Sequence, residues 1–212
     1  MPTLDHPLTA ALAALSCVAI MLSLQRFLEM LPVLWECAVR WKSNVELEDS
    51  LQLSRSRNYL AAILIVPDLL ITARFQLYSP RSIQGLHAGW ALAALAGVFL
   101  AYILFRAFLD WQLETESYGS KFFTAANRSF LNFFVLASVL LLALAGFSAV
   151  AGLGLQASKR LILIALTLTY FWFVFKRTQI FSSASKPLTT FLYLCGLELI
   201  PTGALVLSAR LF

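Results

Sequence analysis

Apolar residues run nearly unbroken through six stretches of the chain: 8–24, 59–78, 87–109, 130–155, 161–175 and 188–211. A helix needs about 20 residues to cross roughly 30 Å of hydrocarbon. The third and fourth stretches meet that length outright. The first and fifth are short, so they must borrow flanking residues or stand nearly upright. The second is interrupted by Pro67, Asp68 and Arg74, and the sixth carries Glu198 and Pro201. A barrel would show alternating segments of about ten residues, and the chain has none. The pattern predicts an all-α, polytopic transmembrane bundle of about six membrane-spanning helices, forming one integral membrane domain over 1–212.

Two connections are patterned differently. Within 25–58, Phe27, Leu31, Leu34, Ala38 and Trp41 recur at helical spacing, while Arg26, Glu29, Glu36 and Arg40 interrupt them. This fits an interfacial amphipathic helix broken at Pro32, with a re-entrant hairpin as the alternative. The part from 44 to 57 is the most water-facing piece of the chain. The 108–129 connection reads as a second interfacial segment, around Trp111, Tyr118, Phe122 and Phe123. Trp41, Trp90, Trp111 and Trp172 fall near run ends, as interface anchors do. The third and fourth runs are rich in Ala, Gly and Ser, which lets helix backbones approach closely in lipid. Such faces suit central packing helices or a seam between copies.

Composition agrees with a lipid environment. The chain is 60% apolar and 13% charged, against about 45–50% and about 25% in ordinary globular domains. That excludes a disordered tail, a coiled coil and most soluble enzyme folds. The net charge of +5 lies in short connections rather than in a continuous stripe, which points to a cytoplasmic face and not to nucleic acid. Alternate connections carry eleven Lys and Arg on one side and five on the other. The count places both termini in the periplasm and the long loops in the cytoplasm. Residues 1–7 lack a basic residue, and the run that follows is longer than a signal-peptide core, so it reads as a retained first helix.

Chemistry-bearing residues are few. Cys17, Cys37 and Cys195 are scattered without metal-ligand spacing, and His6 and His87 are the two histidines. No phosphate loop, His-Glu-x-x-His or Gly-x-Ser-x-Gly motif occurs. The expectation is a non-enzymatic protein with no cofactor or metal, whose partners are the bilayer and other membrane proteins or a second copy.

Two acids remain at membrane depth. Asp68 and Glu198 lie nine and ten residues into the second and sixth runs, at nearly equal depth, each beside a proline. Pro67 frees the carbonyl of Ile63 and Pro201 that of Leu197, so both helices should kink there. With no Lys or Arg at that level, each carboxyl is expected to hold its proton and donate to a freed carbonyl. Two readings stay open: neutral pins between kinked helices, or a proton or cation site at a broken-helix crossing. In the first, Glu198→Gln leaves stability nearly unchanged. Tyr193, Thr189, Thr190 and Thr202 are candidate companions on the sixth run, with Thr167, Thr169 and Tyr170 on the fifth.

The run from 191 to 201, FLYLCGLELIP, resembles the closing signature of a family of multi-pass membrane proteins of unknown function from Bacteroidota. That signature is Tyr-x-Cys-x-Leu-Glu-x-x-Pro, here Tyr193, Cys195, Leu197, Glu198 and Pro201. The resemblance implies a bacterial inner-membrane protein and supplies no activity. The function expected is a subunit or scaffold of an envelope complex; the alternative is a small proton- or cation-coupled carrier or channel using Asp68 and Glu198.

Overall fold

A computed structural model describes residues 7–78, 80, 87–113, 120–184, 190, 191 and 194–211. The described residues form an all-α bundle. Its elements are α1 (Pro7–Val39), α2 (Trp41–Asp49), α3 (Leu51–Arg74), α4 (Ala88–Leu113), α5 (Ser120–Val150), α6 (Leu155–Ala184), a π-helical turn (Cys195–Leu199) and α7 (Ile200–Leu211). Five helices are long and apolar enough to cross a membrane: α1, α3, Gly89–Leu109 of α4, Ala125–Val150 of α5 and Leu155–Ser183 of α6. The last run contributes a shorter apolar helix, Ile200–Ala209, after the π turn.

The region read as an interfacial helix broken at Pro32 is not separate. Helix α1 passes through Pro32 and continues to Val39. Its inner seam explains why. Thr9, Ser16, Ser23, Met30 and Cys37 are buried at every seventh position, with Leu34 beside them. A seven-residue repeat keeps one narrow stripe against neighbouring helices, and small residues let them come close. Ser16 and Ser23 donate to the carbonyls of Leu12 and Ala19, both at 2.7 Å, so their hydroxyls are satisfied within the helix. Pro32 removes one amide without disturbing that seam.

Helix α1 ends in a joint built from side chains. The last carbonyls of a helix have no partner within it. Here Asn44 donates to Cys37 O at 2.8 Å, Trp172 to Ala38 O at 3.1 Å, and Lys176 to Val39 O at 2.6 Å. One donor comes from α2 and two from α6. The 44–57 stretch, read as water-facing, is therefore partly interior: Asn44, Leu47 and Arg57 are buried.

Helix α5 lies at the centre, packed against α1, α2, α3 and α6. Met30, Leu34, Leu60, Leu64 and Val135 form the largest buried apolar cluster between α1, α3 and α5. At its far end α5 stops in a Schellman motif. Leu153 N–H donates to Ser148 O and Gly152 N–H to Ala149 O, with Gly152 at φ +63°. Helix α3 closes the same way, through Leu77 to Thr72 O and Gln76 to Ala73 O, but with Gln76 at φ +50°.

Candidate functional site

The structure gives the two acids different surroundings. Glu198 is fully buried. Arg106 of α4 reaches it with two nitrogens, at 2.6 Å to Oε1 and 3.3 Å to Oε2. Arg177 of α6 forms a second ion pair with Oε1. The reading that no Lys or Arg stands at the level of Glu198 is thus overturned. It failed because Arg106, near the end of the third run, was counted with the loop that follows, and Arg177 lay beyond the fifth run, whereas α4 and α6 carry them and continue to Leu113 and Ala184.

Local structure aims Glu198 at this pair. Pro201 has no amide to donate to Leu197, and the five residues before Ile200 widen into a π turn, closed by Ile200 N–H donating to Cys195 O. The wider turn presents Glu198 inward and exposes backbone carbonyls. One of these, Glu198 O, accepts from Tyr170 Oη at 3.2 Å. Aromatic rings wall the cluster: the Arg106 guanidinium lies 4.0 Å from the Phe130 ring centre, and that of Arg177 lies 5.4 Å from Phe181. Arg177 also donates to Asn127 Oδ1 at 2.5 Å. Cations over aromatic faces are stabilised most when water is excluded.

Glu198 is not in the middle of the bundle. Arg106 and Arg177 stand 18 and 22 residues from the opposite ends of their helices. Upright, that is about 27 and 33 Å, close to the hydrocarbon boundary. Asp68 sits deeper. Its Oδ2 is bonded to the Ser138 hydroxyl of α5, eight residues along α5 from Phe130, about 12 Å. The expected equal depth does not hold, and among the described residues the two acids bond to different side chains.

Ser138 also donates to Phe134 O at 2.9 Å. A hydroxyl carries one hydrogen, so Ser138 either shares it between Phe134 O and Asp68 Oδ2 or gives it to Phe134 O while accepting from a protonated Asp68. Asp68 Oδ1 is buried with no hydrogen-bond partner. Asp68 therefore bridges α3 and α5 through Ser138, while Glu198 makes ion pairs that join α4, α6 and the π turn. Thr167 and Thr169 bond back to their own helix. Tyr193 and Thr189 lie outside the described residues.

A second polar cluster went unread in the sequence. Glu48 of α2 pairs with Arg57 of α3, and with Arg128 of α5 at 3.0 Å. Arg57 is fully buried and donates to Asn132 Oδ1 at 3.2 Å; Asn132 donates to Asn44 at 2.8 Å. Asn44 in turn caps α1. Both clusters lie at the same end of the bundle, and in each a carboxylate stands between two guanidinium groups. Among the described residues, no three His, Cys, Asp or Glu side chains gather as they would around a metal ion. No family model, curated protein or solved structure matches the chain.

Proposed function

We propose that this chain is a non-enzymatic scaffold or subunit of a bacterial envelope complex, held in the inner membrane. The observation that carries this reading is the double-arginine clasp on Glu198. It commits both carboxylate oxygens to fixed partners on two other helices. A group that must exchange ions or protons during transport has to change partners, and this one is engaged on every side. With the Glu48 cluster it forms a polar frame at one end, joining all of α1–α6 and the π turn. A rigid frame of this kind suits a part that presents fixed helix faces to neighbours. Helix α4, at the edge, turns Trp90, Leu100, Leu104 and Phe108 outward.

The inner-membrane assignment draws on the C-terminal resemblance and on the charge count. With the buried Arg57, Arg106, Lys176 and Arg177 set aside, alternate connections hold seven basic residues against five. This favours the polar end in the cytoplasm and both termini in the periplasm. Light scattering in a mild detergent tests the scaffold. The expected particle exceeds one 23.5 kDa chain, as a homo-oligomer or with a stoichiometric partner. A strictly monomeric particle would remove the proposal's support.

A second reading, a small proton- or cation-coupled carrier, is favoured by one observation: the unpartnered Oδ1 of buried Asp68. It narrows the site to Asp68, since Glu198 is occupied by its arginines. Flux into reconstituted vesicles that follows a pH gradient and disappears in Asp68→Asn would establish it; an absence of flux would eliminate it.

A further inference from the structure

A cleft of about 200 Å³ opens between α1, α3 and α4 at the end of the bundle opposite the polar frame. Its walls include Ala13 and Cys17 of α1, Pro67 and Ile71 of α3, and Leu92 of α4, and it is overwhelmingly apolar. Sequence accounts for the space, because Ala13 is small and proline has no amide to tie Pro67 to the turn before it. Arg74 also lines it, at the C-terminal end of α3. Pro67 and Arg74 are seven residues apart, so the cleft runs about 10 Å along the helix, from an apolar inner end to a cationic mouth.

Arg74 differs from the arginines of the polar frame. It is exposed, with its guanidinium 5.9 Å from the Phe75 ring, and no carboxylate of the described residues lies within ion-pair distance. A guanidinium at that position offers forked donors matched to a phosphate. We propose that the cleft holds one acyl chain of an anionic glycerophospholipid whose phosphate sits on Arg74. Charge complementarity at the mouth selects the occupant. Any lipid can lay a chain in an apolar cleft, but a lipid of net negative charge gains from an arginine with no internal partner. The site rests on the membrane placement proposed above.

Native mass spectrometry of protein released from nanodiscs of equimolar phosphatidylglycerol and phosphatidylcholine tests it. The wild type should retain phosphatidylglycerol over phosphatidylcholine by about fivefold, the effect of one basic side chain on an anionic lipid. Arg74→Gln, at an exposed position, should abolish the preference. Ala13→Phe, which fills the cleft, should remove the retained lipid. Equal retention of both lipids by the wild type, or an undiminished preference in Arg74→Gln, would overturn the site while leaving the membrane reading intact. Failure of the wild type to enter nanodiscs at all would overturn both.

Discussion

Replacing Glu198 by Gln keeps the shape of the side chain and removes its charge. Were Glu198 a neutral pin, the change would cost almost nothing. In the structure it strands Arg106 and Arg177, 5% and 0% exposed, beside a neutral amide. The Gln oxygen can accept from only part of one fork, and its NH2 group faces guanidinium donors. Breaking a buried ion pair by removing one partner costs about 3–5 kcal/mol, a large part of a total stability of about 5–15 kcal/mol. For a chain of this length that corresponds to a fall in melting temperature of about 6–20 °C. Thermal unfolding in a mild detergent, followed by circular dichroism, measures it. A companion variant sharpens the test: adding Arg177→Met to Glu198→Gln should recover part of the loss, because one stranded cation is removed. A loss below about 1 kcal/mol for Glu198→Gln, the range of exposed pairs, would refute the buried clasp.

Asp68→Asn should be tolerated, since an amide can still hydrogen-bond Ser138 in place of the carboxyl; Asp68→Leu should cost about 1–3 kcal/mol, measured by the same unfolding assay. Gln76→Gly should stabilise the protein and Gly152→Ala destabilise it, each by about 1 kcal/mol, because both positions have the left-handed conformation that closes a helix. Equal signs for the two would contradict the shared motif. Lys176→Met leaves Val39 O without its donor; hydrogen exchange at the end of α1 should quicken while that of the α5 centre stays unchanged.

The helical class and the membrane character were legible because they depend on long apolar runs, which tertiary contacts hardly alter. The ends of those runs were not. Charge was taken as the mark of a loop, so Arg106, although inside the third run, was counted with the connection after it, Arg177 fell beyond the fifth run, and Glu198 lost its partners. A signal did exist: Phe173, Arg177 and Phe181 continue at four-residue spacing, as do Tyr102 and Arg106. This periodicity carries a helix face past a basic residue. Pro32 misled in the opposite sense, since helix-breaking by proline is weaker where neighbouring helices and an intact seam hold both sides. The Glu48–Arg57–Asn132–Asn44 network joins residues up to 88 positions apart. No local spacing announces such a meeting, which depends on how α2 folds back under α5. A kink beside Pro201 was expected; the π turn at Cys195–Leu199 and the meeting of Glu198 with two arginines have no local signature.

Contact between the Glu198 carboxylate and the guanidinium groups of Arg106 and Arg177 holds α4, α6 and the π turn together. Solid-state NMR on protein labelled with 13C at glutamate and 15N at arginine side chains reads that contact directly in a lipid bilayer. The Glu198 carboxylate signal, assigned by its loss in Glu198→Gln, should be strongly dephased by arginine nitrogen in the wild type. The dephasing should weaken when either arginine is replaced by Met. A Glu198 signal untouched by arginine nitrogen would contradict the clasp and the polar frame built on it.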